Sequence, residues 1–265
     1  MARLSHLITD RRKQRPLFQR ITAGSAEWVY SVHGSGPPLL LIHGLSGSVG
    51  WWRRNIPALE RGYTVYAIEL VGFGTNRGHR PLSLDASASG VRALMDALRI
   101  GRAHVVAHSM GGQISIHLAA RYPEQVERLV LAAPSGMLRH GLVPMAVRLA
   151  RSSRYAPLDF APTLVRDALR AGPINLLLGA RQILSDDVTE LLGKIRARTM
   201  VVAGEHDFLV PPEVCQAVAA GIPGAHYELL AGAGHNLMWD RAPQFNDLVL
   251  PFLAEQAAEP KQANT

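Results

Sequence analysis

The 265-residue sequence lacks several features that mark particular classes of protein. Its single cysteine, Cys215, excludes an internal disulfide and removes the usual mark of an oxidising compartment. No apolar run approaches the roughly 18 residues that a membrane span needs. The first 20 residues contain no apolar core of the kind found in secretory signals. We therefore expect a soluble, cytoplasmic protein with no membrane span.

The charge is unevenly distributed along the chain. The formal net charge is +7, yet residues 1–20 alone hold six basic residues and one acidic residue. The remaining part of the chain is therefore close to neutral, and the basic arm is expected to be solvated. Aromatic residues make up only 6% of the chain, and no nucleic-acid-binding motif is present. We expect no nucleic-acid partner.

Apolar segments alternate with helix-length stretches, which predicts one α/β domain over residues 1–265. The apolar runs are continuous, as in parallel strands that are covered on both faces. They fall at residues 37–44, 63–70, 103–109, 128–134 and 199–207. Helices are predicted at 51–61, 85–100 and 110–121, and two earlier strands at 18–24 and 27–36 form an antiparallel edge. The fold class is a mostly parallel twisted sheet flanked by helices.

The alternation stops over residues 136–192, where helical patterns are interrupted by prolines. We interpret this interval as a small helical cap inserted between two strands of the sheet. The apolar residues expected to line a site beneath the cap are Leu142, Val143, Met145, Val147 and Leu176 to Leu178.

Ser109 lies between the apolar run that ends at His108 and a helical pattern that begins at Met110. A tight strand-to-helix turn would hold its hydroxyl away from the sheet, where a nucleophile is useful. An ordinary N-cap serine occupies the same kind of position. A small-x-Ser-x-Gly pattern is weak by itself, so the neighbouring strand ends must decide between these interpretations.

Polar residues follow the ends of the other predicted strands. Asp207 follows the strand at 199–207, and His235 follows the last probable strand. A glycine-rich loop, His43 to Gly47, follows the first parallel strand. Because sites in open α/β sheets form at the carboxyl ends of the strands, these groups are expected to converge on Ser109.

Over residues 17–255 the chain resembles the α/β-hydrolases, which carry a nucleophilic serine on a strand-to-helix turn. The resemblance rests on "HVVAHSMGG", "LLLIHGLSGS", "GEHDFLVPP" and "GAGHNLMWDRAPQFNDLVLPFL". It implies that Ser109 is the nucleophile, His235 the general base and Asp207 the acid that orients the histidine. It also implies an oxyanion hole formed by the backbone N–H groups of Leu45 and Met110. The family pattern usually has glycine at the position of Ala107.

Several alternatives remain beside this assignment. Glu205 is a rival to Asp207, and His108 is interpreted as a hydrogen-bonded neighbour of the site. His104 and His108 do not form a metal pair, because residues four apart on a strand do not meet as they do on a helix. We expect no metal and no cofactor. Trp239 is interpreted as a core residue, with lining of the pocket as the alternative.

The expected function is that of a serine hydrolase, specifically a carboxylesterase for small or medium uncharged esters, acting through an acyl-enzyme on Ser109. A lactonase, a carbon–carbon bond hydrolase and a low-turnover, receptor-like member of the fold are the alternatives. The pair Trp239–Asp240 after the histidine resembles the carbon–carbon bond hydrolases of aromatic degradation. The sequence leaves open the natural substrate, the cap orientation and the oligomeric state.

Overall fold

A computed structural model describes residues 18–137, 147–148, 151–152 and 157–255. Within these residues, eight strands form one sheet. They are β1 (Phe18–Ala23), β2 (Ala26–His33), β3 (Pro38–Ile42), β4 (Thr64–Glu69), β5 (Ala103–His108), β6 (Val126–Ala132), β7 (Arg198–Gly204) and β8 (His226–Leu230). The spatial order is β1-β2-β4-β3-β5-β6-β7-β8. The pairs β1–β2 and β2–β4 are antiparallel, and every other pair is parallel, so the predicted fold class and antiparallel edge are confirmed.

Helices cover both faces of this sheet. They are α1 (Ile56–Leu59), α2 (Leu84–Ala97), α3 (Met110–Arg121), α4 (Ala161–Ser185), α5 (Thr189–Leu192), α6 (Pro212–Gly221), α7 (Leu237–Asp240) and α8 (Ala242–Ala254). Short 3-10 turns lie at Val49–Trp52 and Gly74–Asn76. In the described part of the chain, none of the helices combines the length and the apolar content needed to cross a bilayer.

Alternate residues of the central strands belong to two different core clusters. Leu40 and Ile42 pack in the cluster that contains residues of α2 and α3. Leu39 and Leu41 pack in the cluster that contains residues of α8. Because both sides of β3 are buried, the run from Leu39 to Ile42 is apolar throughout, which explains its continuous pattern in the sequence.

The helix predicted over 51–61 is shorter than expected. A 3-10 turn ends at Trp52, and a separate four-residue helix begins at Ile56. Pro57 lies in the first turn of α1 and has no N–H to continue a helix from the preceding turn. The chain therefore changes direction between the two pieces.

The segment between β6 and β7 contains α4 and α5. Gly172 interrupts α4 with φ of +73° and is followed by Pro173, which lacks a donor for the helical ladder. The predicted insertion at 136–192 falls in this segment. Leu142, Val143 and Met145 lie outside the described residues.

Candidate active site

Ser109 occupies a strained turn between β5 and α3. Its φ is +52° and its ψ is −117°, a conformation that residues with a side chain rarely adopt. The turn is held by hydrogen bonds from Ser109 N–H to Ala132 O at 3.0 Å and from Gln113 N–H to Ser109 O at 3.1 Å. Although Ser109 is the N-cap residue of α3, its side chain makes no capping hydrogen bond. The hydroxyl is therefore available for another partner.

Gly111 allows α3 to approach the sheet closely below this turn. A Cβ atom at this position would lie 2.5 Å from His43 O and 2.6 Å from Ile42 O. Both atoms belong to the backbone and have little freedom to move away. Glycine at 111 is thus required by the packing of α3 against the end of β3.

The structure brings Ser109, His235 and Asp207 together in one hydrogen-bonded chain. His235 Nε2 lies 3.1 Å from Ser109 Oγ, and His235 Nδ1 lies 2.8 Å from Asp207 Oδ2. The carboxylate accepts a hydrogen bond from Nδ1–H. Nε2 therefore carries no proton and can accept the proton of the serine hydroxyl. Asp207 Oδ1 also accepts the N–H groups of Leu209 and Val210 at 2.8 and 2.9 Å, which fixes the carboxylate.

Glu205, the rival to Asp207, and His108, the expected neighbour of the site, have other partners. Glu205 Oε2 accepts the N–H of Gly232 at 2.8 Å, whereas Asp207 is the acid that contacts His235. His108 Nε2 lies 2.9 Å from the backbone oxygen of His235 and donates to it. Burial holds the pKa of His108 well below its ordinary value, so this ring is neutral. His108 therefore supports the loop that carries His235.

A second histidine holds the loop that contains Leu45. His43 Nε2 accepts the N–H of Leu70 at 3.1 Å, so Nδ1 carries the proton and donates to Gly44 O at 2.8 Å. Burial lowers the pKa of His43 to about 4, which keeps the ring neutral. In the described residues, no backbone hydrogen bond uses the N–H of Leu45 or of Met110. These two donors remain available beside Ser109.

A cavity of about 370 Å³ extends from Ser109 and His235. Its lining is mostly apolar and includes Leu45, Trp51, Leu164, Leu176, Ile183 and Val210. Among the described residues that line the cavity there is no arginine or lysine. The pocket is therefore suited to an apolar group next to the serine.

Only part of the expected lining reaches this cavity. Leu176 lines it, but Leu177 and Leu178 lie on the outside of α4, and Val147 is also exposed. The expectation was wrong for these three residues. For Leu177 and Leu178 the reason is that consecutive residues of a helix point in different directions and only one stripe can face inward. Trp239 is fully buried and stacks on Phe160 with ring centroids 4.2 Å apart, as expected for a core residue.

We refer to residues 157–185, which include α4, as the roof of the pocket. Asp167 ties the roof to the loop that follows Leu45. This wholly buried carboxylate accepts the Ser48 hydroxyl at 2.6 Å and the Trp51 indole N–H at 3.1 Å, while Arg166 Nε lies 2.9 Å from its other oxygen. Sequence reasoning missed this residue, although Asp167 is the only acidic residue of α4.

Gly179 is a second contact of the roof that sequence reasoning missed. A Cβ atom at this position would overlap Leu45 Cδ1 and lie 3.3 Å from Phe73 Cζ. The absence of a side chain lets α4 pack directly over the Leu45 loop. Because Leu45 and α4 are far apart in the chain, no local pattern pointed to this contact.

Glu69, at the end of β4, supports the same region from below. Its two carboxylate oxygens accept the N–H groups of Val49 at 3.1 Å and Thr75 at 3.0 Å. Burial, and to a smaller extent the nearby charge of Asp167, raises the pKa of Glu69 to about 7, although the two backbone hydrogen bonds act in the opposite direction. These contacts give the loop after β4 a structural role. Among the described residues, no group of three or more His, Cys, Asp or Glu side chains is arranged to hold a metal ion.

The model of the alpha/beta hydrolase fold family matches residues 37–176 of this sequence. This match covers more than half of the chain and includes the Leu45 loop and the Ser109 turn. The chain belongs to the α/β-hydrolase family. The expected family is therefore confirmed.

Two curated relatives are similar to this chain over most of its length. A 2-hydroxy-6-oxo-6-phenylhexa-2,4-dienoate hydrolase from Comamonas testosteroni is 29% identical, over 88% of this chain and 90% of the relative. A 2-hydroxy-6-oxononadienedioate/2-hydroxy-6-oxononatrienedioate hydrolase from Escherichia coli K12 is 30% identical, over 86% of this chain and 87% of the relative. Among solved structures, the enol-lactonase from Burkholderia xenovorans LB400 has a TM-score of 0.77 and 24% identity, and the match covers 89% of this chain and all of that chain.

These comparisons support a hydrolase without specifically supporting a carboxylesterase. Neither of the two curated relatives is named as an ester hydrolase. Their names fit the carbon–carbon bond hydrolase, one of the alternatives given above, better than the carboxylesterase. The enol-lactonase, at 24% identity, shows the shared fold.

Proposed function

We propose that this α/β-hydrolase cleaves a carbon–carbon bond next to the 6-oxo group of a 2-hydroxy-6-oxo-dienoate whose acyl part is apolar. The observation that carries the proposal is the apolar cavity that opens directly from Ser109 and His235. The 6-oxo group of such a compound is a ketone, so hydrolysis at this carbonyl must break a carbon–carbon bond. The similarity to the two dienoate hydrolases supports this choice of substrate class.

In the proposed reaction, Ser109 Oγ attacks the carbonyl carbon while His235 Nε2 takes the hydroxyl proton. Asp207 orients the histidine and stabilises its charged form. The N–H groups of Leu45 and Met110 bind the oxygen that becomes negative. This assignment gives each expected site residue one role in a single step.

Bond cleavage requires a way to stabilise the departing carbon. Ketonisation moves the proton of the 2-hydroxy group to C5 and leaves a 2-oxo group and a C3=C4 double bond. The electron pair of the broken C5–C6 bond is then conjugated with the 2-oxo group through C3=C4. His235 then returns its proton to C5, and the acyl group stays on Ser109. Water, deprotonated by His235, hydrolyses the acyl-enzyme to a carboxylic acid and frees the serine.

The lining of the cavity favours an apolar acyl group over a charged one. The Comamonas relative is named for a substrate with a phenyl group on carbon 6, and the Escherichia coli relative for a dioate. A second carboxylate would lose its hydration in this pocket without an arginine or lysine from the described lining to compensate it. We propose that residues 136–192 act as the cap over this cavity.

Hydrolysis of an uncharged ester or lactone by the same residues is the second candidate. The lack of a cation in the described lining favours this candidate too. A dienoate carries one carboxylate, and no arginine or lysine of that lining would pair with it. An ester needs no such partner. The two candidates differ in the bond that breaks and share the acyl-enzyme.

A substrate panel separates these candidates. The purified protein is tested with a 6-phenyl dienoate, a matching dienedioate, p-nitrophenyl butyrate and an uncharged lactone. We expect kcat/KM for the 6-phenyl compound to exceed that for the dienedioate by at least about tenfold, the factor that 1.4 kcal/mol of uncompensated charge burial produces. Faster turnover of the ester or lactone would favour the second candidate. Tight binding of all four without turnover would favour a receptor-like protein.

A further inference from the structure

The outside of α4 carries an unusual concentration of exposed apolar side chains. Ten large apolar residues are exposed in the described part of the chain, and seven of them lie between residues 147 and 178. Leu158 is 92% exposed and Leu169 is 78% exposed. Isolated exposed leucines are ordinary on soluble proteins, but a cluster of this kind marks an interaction surface.

Five of these residues lie on α4, and Leu158 lies three positions before its first residue. The buried residues of α4 recur every fourth position from Thr163 to Ile183 and define its inward side. On each side of the interruption at Gly172, the exposed apolar residues of α4 lie opposite this buried stripe. We call this surface the outer face of the roof; its apolar members are Leu158, Val165, Leu169, Ile174, Leu177 and Leu178.

The exposed charge of α4 has a single sign. Arg166, Arg170 and Arg181 are exposed on α4, but Arg166 Nε lies 2.9 Å from Asp167, so Arg170 and Arg181 carry the positive charge that no acid of α4 offsets. The only acidic residue of the helix, Asp167, is completely buried at the Ser48 and Trp51 contacts. The exposed side of α4 is therefore apolar and cationic, with no exposed acid on the helix itself.

We propose that the outer face of the roof docks on an anionic membrane surface. Apolar side chains on one side of a helix enter the boundary between headgroups and acyl chains, while arginines pair with anionic headgroups. The inward side of the same helix lines the cavity, so docking brings an apolar substrate held in the bilayer close to the site.

A second copy of the chain fits this face less well. A two-fold symmetric contact places the same surface against itself, which would bring the arginines of both copies together in a partly desolvated interface. Helix α4 offers no exposed acidic side chain as a partner for them. An anionic lipid surface supplies both the apolar phase and the opposite charge. The proposal does not depend on which bond the enzyme cleaves.

Vesicle sedimentation tests the proposal directly. The full chain is mixed with vesicles of phosphatidylcholine alone or with added phosphatidylglycerol, and the bound fraction is measured. We expect binding to the anionic vesicles that weakens as salt rises. The double variant Leu169→Glu, Leu177→Glu should bind at least about tenfold more weakly, and Arg181→Gln about fivefold more weakly. Neither leucine lines the cavity, so the melting temperature should stay close to that of the wild type.

A matched control is Leu229→Glu, which changes a half-exposed leucine on β8, outside the outer face. This variant should bind vesicles like the wild type. Undiminished binding by the double variant would place the contact on the basic residues 1–20 and overturn the proposal. It would also be overturned if the wild type bound neither kind of vesicle. Loss of a dimer in the double variant, without vesicle binding by the wild type, would identify the face as a self-association surface.

Discussion

The sheet edge that carries Ser109 and the roof that covers it are built by different means. At the sheet edge, the groups beside the reacting hydroxyl are held by backbone hydrogen bonds, such as those from Leu209 and Val210 to Asp207. The roof is held by side chains, chiefly the contacts of Asp167 with Ser48 and Trp51. We infer that the sheet edge determines the chemistry and that the roof determines how the substrate fits. The following predictions test this division, beginning with the largest expected effect.

Removal of the nucleophile should have the largest effect. Ser109→Ala is expected to lower kcat by about 10⁴- to 10⁶-fold while the protein stays folded, because the hydroxyl that His235 activates is lost. A fluorophosphonate should label the wild type at Ser109. The matched control is Ser135→Ala, which removes a hydroxyl that lines the cavity and donates to Gln113. An active Ser109→Ala protein, or labelling at another serine, would contradict the assignment.

Removal of one backbone donor should have the next largest effect. Leu45→Pro deletes the N–H proposed for the oxyanion hole, and loss of one such donor costs about 10²- to 10³-fold in kcat. Leu45→Met is the matched control, because it keeps both the N–H and most of the side-chain volume. The control should cost less than about 1.4 kcal/mol in the activation free energy.

Proline can also disturb the loop, so the Leu45→Pro protein is examined by melting temperature and fluorophosphonate labelling together with its kinetics. A folded and fully active Leu45→Pro enzyme would show that the oxyanion is bound elsewhere. Ser109 would remain the proposed nucleophile in that case.

The roof should affect stability and substrate binding more than the chemical step. Asp167→Ala leaves the Ser48 hydroxyl and the Trp51 indole without their buried acceptor, so the free energy of unfolding should fall by about 3 kcal/mol. We expect KM to rise and kcat to change by less than about tenfold, because the serine, histidine and Asp207 are held by the sheet edge. Thermal unfolding and steady-state kinetics measure both effects.

Asp167→Asn serves as the conservative control. It keeps the volume and one acceptor oxygen, so its effects should be smaller than those of Asp167→Ala. A loss of kcat as large as that of Leu45→Pro, with KM unchanged, would show that the roof takes part in the chemical step. That result would contradict the inference that the sheet edge alone determines the chemistry.

The smallest effect concerns the pH dependence of stability. The pKa of Glu69 is raised by burial to about 7 in the folded protein, from an ordinary value of 4.5. Between these two pH values the folded state binds more protons at this residue than the unfolded state does. Its contribution to stability is therefore fully present below about pH 4.5 and is lost as the pH rises through about 7.

Glu69→Gln should remove this dependence. Thermal unfolding of the wild type and the variant is compared from pH 4.5 to 8, and the difference between them is used because buried histidines such as His43 titrate with the opposite sign. Relative to the variant, the wild type should lose stability up to about pH 7 and then level off. A constant difference across the range would show that folding does not raise the pKa of Glu69.

The sequence by itself determined the elements that local patterns specify. Continuous apolar runs predicted five of the strands, and the residues at the ends of predicted strands made Ser109, Asp207 and His235 the candidate site. Their convergence could be predicted because the carboxyl ends of parallel strands meet at one edge of a sheet. The short α1 departs from prediction at Pro57, where a missing N–H outweighs the surrounding helical pattern.

The tertiary structure decided the contacts that join distant parts of the chain. Ser48 meets Asp167 across 119 positions, and Gly179 meets Leu45, so neither contact has a signature within one segment. The same structure decided that Leu176 faces the cavity while Leu177 and Leu178 face outward. All three are apolar, and hydrophobicity alone does not distinguish the two sides of such a helix. The direction of each side chain follows from the way the buried stripe of α4, anchored by Asp167, packs on the sheet edge.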